Sequence, residues 1–245
     1  MDGGSNDLSG KLVLVTGATR GIGRAVAIAA AAAGAELIIT GRTVGALEEA
    51  DDAIRAAGGR STVVELDMKD TPAIPRLAAA IAERWERLDG FVANAAMLPA
   101  LTPVTHLTPE AWDESVAVNL TGQWHMIRAL DPLLRASAAG RAVLVTSDAA
   151  LGSRPFWGPY AATKAALEAV GRSWAGESEQ TNLRINILNP GGAATAMRAS
   201  AFPGEDQATL PQPEDIAPAF IHLLSPDCEH HGALLSARKI LGLEI

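Results

Sequence analysis

A single cysteine, Cys228, stands among the 245 residues, so neither an intrachain disulfide nor a site built on several thiolates is available, and a reducing compartment fits. Runs of Lys or Arg are absent. With 20 basic against 28 acidic residues the net charge is −8, and such a surface repels phosphate backbones and anionic headgroups. Nucleic acid and membrane are therefore set aside as partners. No apolar run reaches the roughly 20 residues of a bilayer span. The longest candidate, Ala25–Ala33, is alanine-rich and stops at Gly34. Residues 1–10 are acidic and polar, read as a flexible end rather than a signal peptide, and leave the cytoplasm as the expected location. Internal repeats, low-complexity linkers and composition shifts are also missing, which points to one domain.

What is present is a large apolar fraction, 48%, arranged in a rhythm. Short β-rich runs at Leu12–Thr16, Glu36–Thr40, Thr62–Leu66, Gly90–Ala93, Ala142–Thr146, Arg184–Leu188 and Ala233–Ser236 alternate with longer helix-forming stretches. The stretches are Ile22–Ala33, Val44–Ala57, Pro72–Arg87, Pro109–Ala136 and Tyr160–Glu179. This alternation predicts an α/β fold, a doubly wound, mostly parallel sheet of six or seven strands with helices on both faces. One long irregular stretch, Thr195 to Pro213, is interrupted by Pro203, Gly204 and Pro211 and is expected to act as a lid. Its Met197 and Phe202 are candidates to cover an apolar ligand.

The first strand runs into Thr16-Gly17-Ala18-Thr19-Arg20-Gly21-Ile22-Gly23 and then a helix. Glycines at such a turn let backbone N–H groups approach a pyrophosphate, and the helix N-terminus favours its charge. The second strand ends at Thr40-Gly41-Arg42, where a site for NAD would carry a carboxylate to accept from the ribose 2′-hydroxyl. Arg42 and Arg20 can instead hold the 2′-phosphate of NADP; the alternative is two solvated surface charges.

Tyr160, the one tyrosine, is followed four residues later by Lys164, and on a helix these share a face. A neighbouring cation favours phenolate, which would bring the phenol toward the neutral range. Alone, this spacing equally describes a solvent-facing pair. Ser147, however, directly follows the strand Ala142–Thr146, at the edge where open α/β sheets bind ligands, and its hydroxyl can support a carbonyl oxygen gaining charge. A turn-forming serine beside Asp148 is the other reading.

Taken with Asn94-Ala95-Ala96, Asn119 and Asn189-Pro190-Gly191, these motifs in this order resemble the short-chain dehydrogenase/reductase superfamily along nearly the whole chain. The segment from Asn189 to Pro203 more narrowly resembles the YciK-like bacterial oxidoreductases. The resemblance implies a Rossmann-type sheet of seven strands and hydride exchange between NADP(H) and a carbonyl or secondary alcohol. It implies Tyr160 as general acid/base, Lys164 on the nicotinamide ribose, Ser147 orienting the carbonyl, and Asn119 holding a water that serves the lysine. Gly17, Thr19, Arg20, Gly21, Ile22, Gly23, Arg42, Asp67, Met68, Asn94, Ala95, Pro190, Gly191, Ala193 and Thr195 would line the cofactor cleft, with Tyr160 and Lys164. It further implies a homodimer or homotetramer. Ala93 and Ala96 depart from the usual Asn-Asn-Ala-Gly, and Ser236-Ala237-Arg238 from a common carboxyl-terminal Asp-Gly-Gly.

Met97, Leu98, Phe156 and Trp157 join Met197 and Phe202 as expected substrate walls, around a small to medium apolar molecule such as a 3-oxoacyl thioester. Trp112, Trp124 and Trp174 are expected in the core or an interface. His230, His231 and Cys228 lack the partners for a metal or nucleophilic site, and no metal is expected. Two rival readings remain: an NAD-linked alcohol dehydrogenase, and a nucleotide-sensing protein of the same fold without turnover.

Overall fold

The computed structural model describes residues 6–152 and 154–243. In chain order its elements begin with β1 (Leu12–Thr16), α1 (Gly21–Ala32), β2 (Glu36–Gly41), α2 (Val44–Ala56), β3 (Arg60–Glu65), α3 (Ala73–Trp85) and β4 (Gly90–Ala93). There follow α4 (Pro109–Val116), α5 (Gly122–Ala136), β5 (Arg141–Val145), α6 (Gly158–Gly176) and β6 (Arg184–Asn189). The chain closes with α7 (Ala196–Ala201), α8 (Pro213–Leu224), β7 (Leu234–Ser236) and α9 (Ala237–Leu241).

Strands with no polar alternation are stable only where both faces are covered. Every residue of β1, β4 and β5 is buried, and successive β1 side chains enter opposite layers. Val13 and Val15 pack with Val26, Leu37 and Phe220, while Leu12 and Leu14 pack with Ile38, Phe91, Leu130 and Ile185. The result is one seven-stranded parallel sheet, ordered β3-β2-β1-β4-β5-β6-β7, with helices on both faces. Because the chain winds outward from β1 to β3 and then crosses back to β4, the strand order reverses between β1 and β4. The loops part there and open a crevice beyond the carboxyl ends of the strands.

Two expectations are corrected. Pro109–Ala136 is two helices, because a wide π-type turn over Ala117–Thr121 separates α4 from α5. Gly122 begins α5 so close to Met68 O that a side chain would overlap it. The flexible end does not extend through residues 6–10, since Leu8 is fully buried and its amide donates to Ala33 O at 2.8 Å. Residues 1–5 of that expected segment lie outside the described residues. Trp174 is buried and donates to Asp131 Oδ1, whereas Trp112 and Trp124 are 43% and 44% exposed on this chain. Among the described residues no helix is long and apolar enough to cross a membrane.

Candidate active site

The crevice is a cleft of about 420 Å³ whose wall runs from the β1 turn to α6 and the segment after β6. Its β1 end is shaped by close backbone packing. A Cβ on Gly17, at φ +66°, would come within 2.9 Å of Ala95 Cα, and one on Gly23 would overlap Gly17 O and the Asn94 amide. Asn94 stitches the two turns: Nδ2 donates to Thr16 O at 2.9 Å and Gly17 O at 3.2 Å. Thr16 Oγ1 accepts from the amides of Asn94 and Ala95, both at 3.0 Å.

The N-terminus of α1 opens into this cradle with no side-chain cap and no acidic residue in its first turn. Uncapped amides and a favourable helix dipole suit an anion there. Arg20 and Arg42 line the same end, exposed, with no carboxylate within 4.0 Å among the described residues. Glu36 lies at the far end of β2, committed to Arg60 at 2.7 Å. Asp67 and Met68 also line the cleft, and Asp67 Oδ1 accepts from the amide of Lys69 at 2.9 Å. The residues present therefore fit the pyrophosphate and phosphorylated ribose of a dinucleotide.

At the other end, α6 grips the tail of β5 at three successive residues. Lys164 Nζ, fully buried, donates to Val145 O at 2.8 Å. Thr146 Oγ1 donates to the buried carboxylate of Glu168 at 2.6 Å, and Ser147, whose Oγ accepts from the amide of Ala149 at 3.2 Å, lies near enough to the Tyr160 hydroxyl to favour its ionised form. Lys164 Nζ stands 5.7 Å from the centre of the Tyr160 ring.

Enclosure controls both protonation equilibria. Loss of hydration pushes the Tyr160 phenol up to about 12, against a smaller downward pull from Ser147. The same cause brings Lys164 down to about 8. The phenol thus lies above its ordinary value where a lowering by the lysine was expected, because burial is the largest influence on it and Lys164 Nζ is turned to Val145 O. A phenol of this kind is protonated at neutral pH, and so it is a proton donor to an oxygen placed against it and Ser147.

Asn119 does not line the cleft. It is buried in the wide turn, where Oδ1 accepts from Met97 N at 2.8 Å while Nδ2 donates to Met97 O at 2.9 Å and Thr163 Oγ1 at 3.2 Å. Its amide is spent fixing the Met97 loop against α6. Met97, Trp157 and Met197 line the cleft, together with Ala96. Leu98, Phe156 and Phe202, expected as walls, do not. Phe156 sits at φ +77° and is 51% exposed, a backbone conformation that swings its ring outward. Phe202 stacks against Trp157 at 5.8 Å with Arg198 3.9 Å above it, supporting a wall without forming one.

Pro190, Gly191, Ala193 and Thr195 line the cleft as expected, joined by Asn189. Asn189 Oδ1 accepts from Gly191 N at 2.9 Å, and its amide bonds Asp148, next to Ser147. Glu168 was within reach of sequence reasoning, since it lies one helical turn beyond Lys164 on the same face. Arg154 and Arg198, which also line the cleft, carry no comparable signal in the sequence.

A dinucleotide cradle at one end of a crevice and a hydroxyl pair over a buried lysine at the other define a nicotinamide-dependent oxidoreductase of the open α/β class. Residues 11–206 match the short chain dehydrogenase family, and the chain belongs to it. The chain is 38% identical over 223 residues to the uncharacterized oxidoreductase YciK of Escherichia coli K12, covering 90% of this chain and 88% of that protein. A short chain dehydrogenase of Escherichia coli CFT073 solved with NADPH superimposes with a TM-score of 0.91 at 37% identity, covering 95% of this chain and 99% of that one. One from Shigella flexneri 2a solved with NADP gives 0.91 at 35% identity over 96% and 99%. The chain is thus an enzyme acting on CH–OH groups or their oxidised carbonyls in small molecules, with a nicotinamide cofactor.

Proposed function

We propose that this enzyme reduces the carbonyl of a small to medium, largely apolar molecule, with NADPH preferred over NADH. The observation that carries the reading is the gathering of Ser147, Tyr160 and Lys164 in one cleft with Arg20 and Arg42, which meet no carboxylate within 4.0 Å among the described residues. When bound, the nicotinamide supplies the hydride. Arg20 and Arg42 hold the 2′-phosphate, the α1 amides and Gly17, Thr19, Gly21, Ile22 and Gly23 the pyrophosphate, and Asp67 with Met68 the adenine side. Lys164 takes the nicotinamide ribose, and Pro190, Gly191, Ala193 and Thr195 face the carboxamide.

Ser147 orients the substrate carbonyl, and Tyr160 donates its phenolic proton to the oxygen as charge develops there. With a pKa of about 12 the phenol is protonated at pH 7 and able to donate. Asn119 acts by holding Met97 and α6 in register. Met97, Trp157 and Met197 provide apolar walls that suit an acyl chain, a 3-oxoacyl thioester among the candidates. The 195–213 segment serves as a lid, its α7 capped by Thr195 Oγ1 accepting from Arg198 N at 3.1 Å. The exposed Trp112 and Trp124 on α4 and α5 support a homodimer or homotetramer, and the lone Cys228 fits the reducing cytoplasm.

The test is NADPH oxidation at neutral pH against ketones, aldehydes, quinones and β-ketoacyl thioesters, with Tyr160→Phe in parallel. Turnover should fall about 10²–10⁴-fold in the variant while NADPH affinity holds. Equal rates in the two proteins would refute the role of Tyr160. Tight NADPH binding without turnover across the panel would favour a cofactor-sensing protein.

A further inference from the structure

We propose that Arg238 is a positioning residue for the turn Pro190–Gly192, holding the nicotinamide end of the cleft from behind. The proposal rests on the reading of this cleft as a nicotinamide-cofactor site. Arg238 is the second residue of α9, which directly follows the edge strand β7, and its Nη2 donates to Gly192 O at 2.7 Å. The rest of its fork lies against the neighbouring residue. A Cβ on Gly191 would stand 2.9 Å from Arg238 Nε and 3.2 Å from its Cδ, and Gly191 holds a φ of +73°. Nε is buried there without an acceptor, so the guanidinium is placed by its contact with this turn and by the one bond to Gly192.

Gly191 and Gly192 line the cleft, whereas Arg238 does not, and so the arginine acts through the turn rather than on a bound molecule. From the other side the turn is tied to Asn189 Oδ1 by Gly191 N, and Asn189 is bonded to Asp148 beside Ser147. The clamp therefore joins the carboxyl-terminal helix to the loop carrying the carbonyl-orienting serine. Arg198, the other guanidinium near Gly192, is already bidentate to Glu205 at 2.5 and 2.6 Å. Arg238 occupies the segment whose sequence departs from the common Asp-Gly-Gly, and it places a charged fork there.

The experiment compares wild type, Arg238→Met and Arg238→Lys. Affinity is measured for NADPH and for 2′,5′-ADP, which carries the adenine and 2′-phosphate but no nicotinamide, alongside single-turnover hydride transfer and a denaturation curve. Arg238→Met should weaken NADPH about 5–10-fold and slow hydride transfer by a similar factor, leaving 2′,5′-ADP affinity within about twofold. Arg238→Lys, which keeps a donor for Gly192 O, should recover part of both losses. Equal weakening of both ligands would mean general destabilisation and overturn the proposal. Unchanged NADPH affinity and hydride transfer in Arg238→Met would overturn it as well, with the cofactor reading intact. A wild type that binds neither ligand would overturn that reading and the proposal together.

Discussion

Replacing Lys164 by methionine should abolish activity and at the same time relieve the fold of a charge it can ill accommodate. The ammonium is completely enclosed, and burial lowers its pKa from 10.5 to about 8. The folded-state value lies below the unfolded one. Between about pH 8 and 10.5 the unfolded chain therefore keeps a proton that the folded chain has lost, and stability rises with pH through that window. A tenfold change in proton affinity corresponds to about 1.4 kcal/mol, so the charged side chain costs the fold about 3 kcal/mol at pH 7 and about 1 kcal/mol at pH 10. Methionine fills a similar volume without charge but surrenders the bond to Val145 O, a loss of about 1–2 kcal/mol at either pH. The variant should then be about 1–2 kcal/mol more stable than wild type at pH 7 and no more stable at pH 10. Urea denaturation of both proteins at the two pH values measures this directly. Tyr160 titrates at 10.0 in the unfolded chain and at about 12 in the folded one, which opposes the rise near pH 10, but it does so in both proteins and cancels in their difference. Parallel stability curves for the two proteins would refute the reasoning, since they would mean that Lys164 releases no proton on folding.

Arg42→Asp should weaken NADPH by about tenfold or more and NADH far less, because it removes a donor to the 2′-phosphate and adds a repelling charge. Titration of intrinsic cofactor fluorescence reads both, and an unchanged NADPH affinity would remove the 2′-phosphate assignment. Gly23→Ala should cost about 1–3 kcal/mol, since the methyl meets Gly17 O and Asn94 with no room to yield, and should impair NADPH binding in the same protein. A stable, tightly binding alanine variant would show that α1 does not need that approach. Glu168→Gln keeps the shape but weakens a charge-assisted bond from Thr146; about 1 kcal/mol of stability and a severalfold drop in turnover are expected. If turnover is unchanged, the grip of α6 on β5 does not set the position of Ser147.

Local signals carried most of the architecture. Apolar runs such as Leu12–Val15 and Ala142–Val145 are too short for helices and too uniform for half-exposed strands, so a parallel sheet buried on both faces was readable from them. Tyr160 and Lys164 were placed by helical period alone, and Gly17 through Gly23 by their position between a strand and a helix. The features that escaped depend on contacts between distant segments. The wide turn at Ala117–Thr121 follows from packing against Met68 and Met97, neither of which is near in sequence. Phe156 takes a left-handed backbone that no local propensity would assign to it. The raised phenol was not legible because pairing with Lys164 is local information, whereas enclosure against the β5 loop that carries Ser147 is set by tertiary packing. Arg238 meets Gly192 across 46 residues, through a strand of only three residues that gave the weakest apolar signal of the seven.

Several energetically costly features of this chain share one edge of the sheet. A fully buried lysine, a phenol raised by desolvation, a guanidinium Nε without an acceptor and glycines at positive φ in both cleft turns all lie at the carboxyl ends of β1, β5 and β6. The opposite arrangement holds in the sheet interior, where Val13, Leu14, Phe91 and Leu144 are almost wholly buried among apolar neighbours and carry no such cost. Selection for stability alone would remove the former set, because each member costs the fold free energy that a plain apolar residue would not. Their retention along one edge follows if that edge must keep a charged ammonium dry, present a protonated phenol and bring bare backbone to a ligand. The same logic predicts which substitutions are mutually opposed. Apolar replacements at this edge should raise stability as they remove chemistry, while apolar truncations in the sheet interior should lower stability and leave the chemistry of surviving molecules intact.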